Sequence, residues 1–206
     1  MKQLANSASQ AIVFNKPYGV ISQFRPSPGH KTLAAFGFPP RFNPAGRLDT
    51  DSEGLLILTC YGELQHILCE PRYAHPRTYL AQVEGVPQQS ALKLLRQGIQ
   101  ISDHNCLPCT ADLSDDPGLL PRNPPIRVRK SVPDSWVKLT LTEGKNRQVR
   151  RMLAAAGHPV LRLYRKAIGG IDDSGLTPGA WRYLEAKEIV AILKYGDRLS
   201  AQRRYP

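Results

Sequence analysis

Gly46-Arg47-Leu48-Asp49-Thr50-Asp51-Ser52-Glu53-Gly54-Leu55-Leu56-Ile57-Leu58-Thr59 is the stretch on which the reading of this chain turns. The apolar run Leu55–Thr59 reads as a buried strand. The residues before it form a loop that places carboxylates behind an arginine. Loops held at the end of a rigid strand are where catalytic side chains tend to sit. Asp and Ser also favour turns, because they bond their own backbone, and this covers Asp51 and Ser52. Glu53 is read the same way, as local structure or surface. Asp49 differs: Gly46 and Arg47 flank it and the strand follows closely. It is a candidate catalytic carboxylate, and a structural role fits the same composition.

An acid at this point stands out because the chain is basic. Its 206 residues carry 28 Lys/Arg against 17 Asp/Glu, a net charge of +11. Residues 122–166 hold twelve Lys/Arg and two Asp/Glu, a net of +10. Concentrated positive charge is the footprint of a polyanion binder. A membrane-surface role favours a basic amphipathic helix with bulky aromatics. The helix expected at 146–156 has none, so nucleic acid is the expected partner. No apolar stretch has the length to cross a membrane. Met1–Gln10 carries no secretion signature, and a cytoplasmic protein is expected.

Four cysteines are present, Cys60, Cys69, Cys106 and Cys109. Cys106-Leu107-Pro108-Cys109 has the spacing of half a zinc site, but a full site needs a second close pair. Neither Cys60 with Cys69 nor a paired-His motif supplies it. Reduced, mostly buried thiols and no metal are expected.

Ala11–Phe14 reads as a strand that stops at the turn Asn15-Lys16-Pro17-Tyr18-Gly19. Residues 20–45 read as irregular, with one helical turn near Leu33–Phe36. Leu64, Ile67 and Leu68 give a short helical period. Arg77–Glu84 alternates, with Tyr79, Ala81 and Val83 on one face. A helix after Pro87 ends near Gly98. Residues 102–134 read as an excursion or a nucleic-acid-facing loop. Trp136–Thr142 is a strand with Val137, Leu139 and Leu141 inward. A strand at Pro159–Arg165, one at Trp181–Leu184 and a short helix at Glu185–Leu193 follow. Strands outnumber helices without regular alternation, which argues for an α+β fold with a mixed, largely antiparallel sheet.

The helix at 146–156 is the most sharply defined. Val149, Met152, Leu153 and Ala156 form its apolar stripe, and Gly157 is the C-cap candidate. At 100° per residue, Arg147 and Arg151 lie opposite the stripe and Arg150 lies on its flank. The first two suit phosphates in the open or an ordinary solvated face. Arg150 suits a partly buried cleft, or an ordinary rim.

These segments carry a resemblance. Gly46-Arg47-Leu48-Asp49 with Gly54–Thr59 resembles the catalytic motif of the RsuA-type family of bacterial rRNA pseudouridine synthases. Lys16-Pro17-Tyr18-Gly19-Val20 resembles that family's first motif. Glu143-Gly144-Lys145-Asn146-Arg147-Gln148-Val149-Arg150-Arg151-Met152 resembles its third, followed by Leu163-Tyr164-Arg165 and Ile168-Gly169. The matches run in order from about residue 11 to 184. The resemblance implies a pseudouridine synthase fold, with a catalytic domain over 11–195 made of two lobes around a central cleft. Residues 1–10 and 196–206 are then tails, without the small N-terminal S4-like RNA-binding domain of many relatives.

The activity implied is isomerisation of a uridine in large-subunit (23S) rRNA by a monomeric, cofactor-free and metal-free enzyme. Asp49 is then the essential carboxylate, held charged and aimed by Arg150. Tyr79 matches the family's active-site tyrosine, where a ring can stack on an extruded uracil. On sequence alone Tyr79 reads first as a core aromatic in ordinary sheet packing. Arg77 stands where relatives often have Lys. Arg47 and Leu163 complete the expected active site. Lys16, Arg127, Arg129, Lys130, Lys145, Arg147, Arg151 and Arg165 are the expected RNA-backbone contacts. Two other classes stay open at this stage. One is a non-catalytic RNA-binding or ribosome-assembly factor on the same fold. The other is a nucleoside or glycoside hydrolase, which would want a second carboxylate such as Asp51.

Overall fold

The computed structural model of the chain describes residues 10–102, 104–126, 132–173 and 175–202. In chain order, β1 (Ala11–Lys16), β2 (Val20–Ile21), β3 (Lys31–Thr32) and β4 (Asn43–Pro44) precede β5 (Glu53–Thr59) and α1 (Gly62–Cys69). Then come β6 (Arg77–Glu84), α2 (Gln89–Gln97), β7 (Gln100–Ile101), β8 (His104–Asn105) and β9 (Thr110–Ser114). β10 (Asp134–Leu141), α3 (Gln148–Ala155) and β11 (Val160–Ile168) follow. β12 (Ile171–Asp172), β13 (Trp181–Tyr183) and α4 (Ala186–Gln202) close the order. The fold is α+β and largely antiparallel, as the irregular order of strands and helices predicted. The chain divides into two compact units: residues 1–75 with 167–206, and residues 76–166.

In the first unit β1 lies between β13 and β5, antiparallel to both; Phe14 faces Leu56 on one side and Trp181 on the other. β4 pairs with the far edge of β5. Side chains alternate across the pleat, and both faces are covered. One face packs Ala11, Val13, Leu55 and Ile57 on Leu64, Ile67 and Leu68 of α1 and on Ile189 and Ile192 of α4. The other packs Ile12, Phe14, Leu56 and Leu58 on Val20, Leu33, Phe42 and Leu48. Double coverage is why Leu55–Leu58 is apolar without alternation. Burying each of these leucines stabilises the unit by about 1.5–3 kcal/mol.

Aromatics tie the segment read as irregular to this second face. Phe14 meets the Phe36 ring at 4.8 Å and the Phe38 ring at 5.0 Å between centroids. The Trp181 indole N–H donates to the Phe36 carbonyl at 3.1 Å. The helical turn expected near Leu33–Phe36 is present as a 3₁₀ turn.

In the second unit β6 lies between β10 and β11, and β9 is the outer strand beyond β10. Ala81 and Val83 of β6, with Val137, Leu139 and Leu141 of β10, form one buried face. Leu92 and Leu95 of α2 and Val149, Met152 and Leu153 of α3 cover it. The predicted stripe of α3 is therefore the buried one. Leu80, Trp136 and Tyr164 make a small cluster on the opposite face.

Four expectations need correction. β9 lies within the stretch read as an excursion or a nucleic-acid-facing loop, where no strand was assigned; of its five residues Ala111 alone is buried, so no alternating pattern marked it. α4 runs to Gln202, well past the short helix expected to end at Leu193. Cys60 and Cys69 are exposed rather than buried, because both fall just outside the apolar segments beside them. Arg147 does not lie within α3: it is the residue before the helix, in the left-handed region at φ 49°.

Candidate active site

Asp49 sits on the loop entering β5, and that loop is held on both sides of it. Leu48 is buried in the aromatic face of the first unit. The Ser22 hydroxyl donates to the Leu48 carbonyl at 2.7 Å and accepts from the Leu48 N–H at 3.2 Å. On the other side, the Gly19 N–H donates to the Thr50 carbonyl at 2.8 Å. The loop closes on itself through the Ser52 N–H and the Asp49 carbonyl at 3.0 Å. Backbone groups buried without partners are costly, so these bonds fix the main chain on both flanks of one carboxylate. Gly46, at φ 81°, supplies the left-handed turn that starts the loop. Asp49 itself is half-buried and Arg47 is exposed. Ser22 was not singled out from sequence; serine in a Pro- and aromatic-rich stretch carries no distinguishing signal.

Lys16 requires a correction. It was read as an RNA contact, yet it is fully buried. Its ammonium donates to the Val20 carbonyl at 2.8 Å and the Pro17 carbonyl at 3.0 Å. It therefore ties together the turn at 17–20, whose Gly19 holds the Asp49 loop. A buried ammonium needs such partners. Glu53, read as local structure or surface, is buried at the start of β5.

The remaining expected site residues belong to the second unit. Tyr79 is half-buried, faces Leu139 in register and packs on the core that contains Leu163. Leu163 is thus a core residue, 5% exposed. Arg150 is half-buried and donates from Nη1 to the Val160 carbonyl at 3.3 Å, joining α3 to β11. The flank position inferred from helix geometry agrees with this placement.

The entrance to α3 is held mainly by side chains, beside one main-chain bond from the Gln148 N–H to the Lys145 carbonyl at 3.2 Å. Gln148 accepts from the Lys145 N–H at 2.9 Å and donates to Glu143 Oε1 at 2.5 Å. Glu143 Oε1 also accepts from the Leu107 N–H at 2.8 Å, and Oε2 lies 2.9 Å from His104 Nε2. Burial alone would raise the Glu143 carboxyl. The bonds from Leu107, His104 and Gln148 outweigh it and hold the carboxyl below its ordinary value. Glu143 and Gln148 stood in the quoted motif, but their mutual contact needed coordinates.

Among the expected RNA contacts, Lys145 and Arg147 are exposed and Arg151 is half-buried. Arg165 is a second correction: at 4% exposure it does not offer a surface guanidinium, because it lies on β11 between covered faces. Arg127, Arg129 and Lys130 lie outside the described residues. The Cys109 thiol donates to the Leu95 carbonyl at 3.1 Å, and burial raises it to about 11.

An acid on a pinned loop suits an isomerase or a hydrolase of nucleosides, and the same fold suits a non-catalytic RNA-binding factor. Comparison with known proteins decides among these. Over residues 10–155 the chain matches the family described as RNA pseudouridylate synthase, and it belongs to that family. It is therefore an isomerase. It is 51% identical over 181 residues to the ribosomal large subunit pseudouridine synthase E of Xanthomonas campestris pv. campestris, covering 86% of this chain and 97% of that protein. It is 34% identical over 186 residues to the ribosomal small subunit pseudouridine synthase A of Escherichia coli K12, covering 88% and 73%. A crystal structure of a pseudouridylate synthase superposes with a TM-score of 0.74 at 28% identity, covering 89% of this chain and 73% of that one.

Proposed function

We propose that this chain isomerises one uridine of large-subunit ribosomal RNA to pseudouridine, with Asp49 carrying the chemistry. The observation that supports this most directly is the fixing of the main chain on both flanks of Asp49 by Ser22 and Gly19. Pre-set geometry at a reacting group removes much of the entropic barrier to reaction. Relatives named for the large subunit support the substrate.

The reaction balances without any cofactor. The N1–C1′ bond breaks and a C5–C1′ bond forms; a proton leaves C5 and N1 ends protonated. Asp49 acts as the nucleophile or base. The family resemblance supports Arg150 as the arginine that keeps Asp49 charged and Tyr79 as the ring that stacks on the uracil. Lys145, Arg147 and Arg151 meet phosphates. A depression of about 400 Å³ beside Phe24, Phe38, Pro39, Pro40 and Arg41 offers a stacking surface for an unpaired base. The enzyme works as a cytoplasmic monomer, where its substrate is made.

The test is reconstitution. Purified protein is incubated with unmodified large-subunit rRNA, and pseudouridines are mapped. One new pseudouridine and no free uracil is the expected result. Free uracil would favour a hydrolase, and binding without either product would favour a non-catalytic factor.

A further inference from the structure

We propose that His104, Cys106 and Glu143 form a binding site for a thiophilic divalent cation, with Zn²⁺ as the fitting ion. One His104 ring nitrogen, the Cys106 Sγ and a Glu143 carboxylate oxygen supply ligand atoms within 4.8 Å of one another. Tetrahedral zinc with these donors holds them about 3.3–3.8 Å apart, so side-chain rotations of about 1 Å suffice. One nitrogen, one sulfur and one oxygen suit zinc and exclude calcium and magnesium, which take oxygen. Thiolate and carboxylate together neutralise the ion, the thiol proton passing to solvent.

The donors are held as ligands are held. Glu143 Oε1 accepts from the Leu107 N–H and Gln148 Nε2, which fixes the carboxylate; Oε2 is hydrogen-bonded to His104 Nε2 at 2.9 Å, and that bond opens when the ion takes both atoms. Supporting bonds of this kind orient ligating carboxylates in known sites. Cys106 is 5% exposed and its N–H is tied to the Ile99 carbonyl at 3.2 Å. Its main chain presses on Gly98, where an added Cβ would stand 2.1 Å from the Cys106 carbonyl oxygen.

Cys109, turned to Leu95, stays outside the site, so the Cys-x-x-Cys spacing points to the wrong partner. Water completes the coordination. The ion lies off the reaction chemistry and clamps the 104–107 segment to the entrance of α3, which carries Arg150 and Arg151. This inference stands independently of the proposed substrate.

The test uses full-length protein stripped with chelator and titrated with Zn²⁺ by calorimetry, and with Co²⁺ as a visible probe. One ion per chain is expected, with a thiolate–cobalt charge-transfer band. Cys106→Ser should abolish the band. His104→Ala, shown folded by circular dichroism, should weaken Zn²⁺ binding at least about tenfold. Cys60→Ser with Cys69→Ser should leave both signals intact. No saturable binding would overturn the proposal. So would binding that survives His104→Ala unchanged, or binding lost with the two exposed cysteines.

Discussion

The Asp49 loop and the entrance to α3 solve the same problem in opposite ways. The first is pinned by main-chain bonds and a single hydroxyl, Ser22, with Leu48 as its apolar anchor. The second has one main-chain bond, from Gln148 to Lys145, and is otherwise pinned by side chains: Glu143, Gln148 and His104. Main-chain pinning is indifferent to most substitutions on the loop and depends heavily on one serine. A side-chain network spreads its dependence and carries charge, so it responds to pH. A loop held by backbone can keep a carboxylate fixed while the residues around it change.

That contrast can be broken in stages. Ser22→Ala should have the largest effect of the changes away from Asp49. It leaves a buried N–H and a buried carbonyl at Leu48 unpartnered, costing about 1–3 kcal/mol of stability. The displaced Asp49 should lower kcat about 10²-fold with KM little changed, read from single- and multiple-turnover kinetics. Asp51→Ala on the same loop should change kcat less than about threefold; equal losses for both would show that the loop is not pinned as described.

Glu143→Gln should come next, with a loss of roughly 1–2 kcal/mol in urea unfolding at neutral pH, because one partner of a buried network is weakened. Its pH dependence follows in sign. The folded carboxyl is held below its ordinary value, so its contribution is fully present above the unfolded pKa of about 4.3. The contribution is lost as pH falls through the lower folded value. Wild type should therefore lose stability below about pH 4 more steeply than Glu143→Gln; parallel curves would remove Glu143 from the account. The smallest effect belongs to Lys145→Ala and Arg147→Ala. Each should weaken RNA binding a few-fold, reduce the salt slope by about one and leave kcat unchanged.

Much of this was legible in sequence wherever one face of an element is buried. The β6 limits, 77–84, follow from alternation alone, and the α3 stripe from its 3.6 period. β9 escaped because an outer strand with one buried residue has no pattern to show. Lys16 and Arg165 were misplaced because charge predicts exposure, and only tertiary packing shows which cations are covered. Arg147 was placed inside a helix because a left-handed residue before it looks like any other arginine. For the site, the sequence marked Asp49 but not Ser22, the residue that holds it. It also drew attention to Cys106 with Cys109, whereas the coordinates gather Cys106 with His104 and Glu143.

The central claim is that Asp49 performs the isomerisation. Its most direct test is site-resolved mapping of pseudouridine in large-subunit rRNA from a strain whose sole copy is Asp49→Asn, with circular dichroism showing the variant folded. The account predicts that one pseudouridine disappears while the purified variant still binds the rRNA. An unchanged pseudouridine pattern in that strain would contradict it.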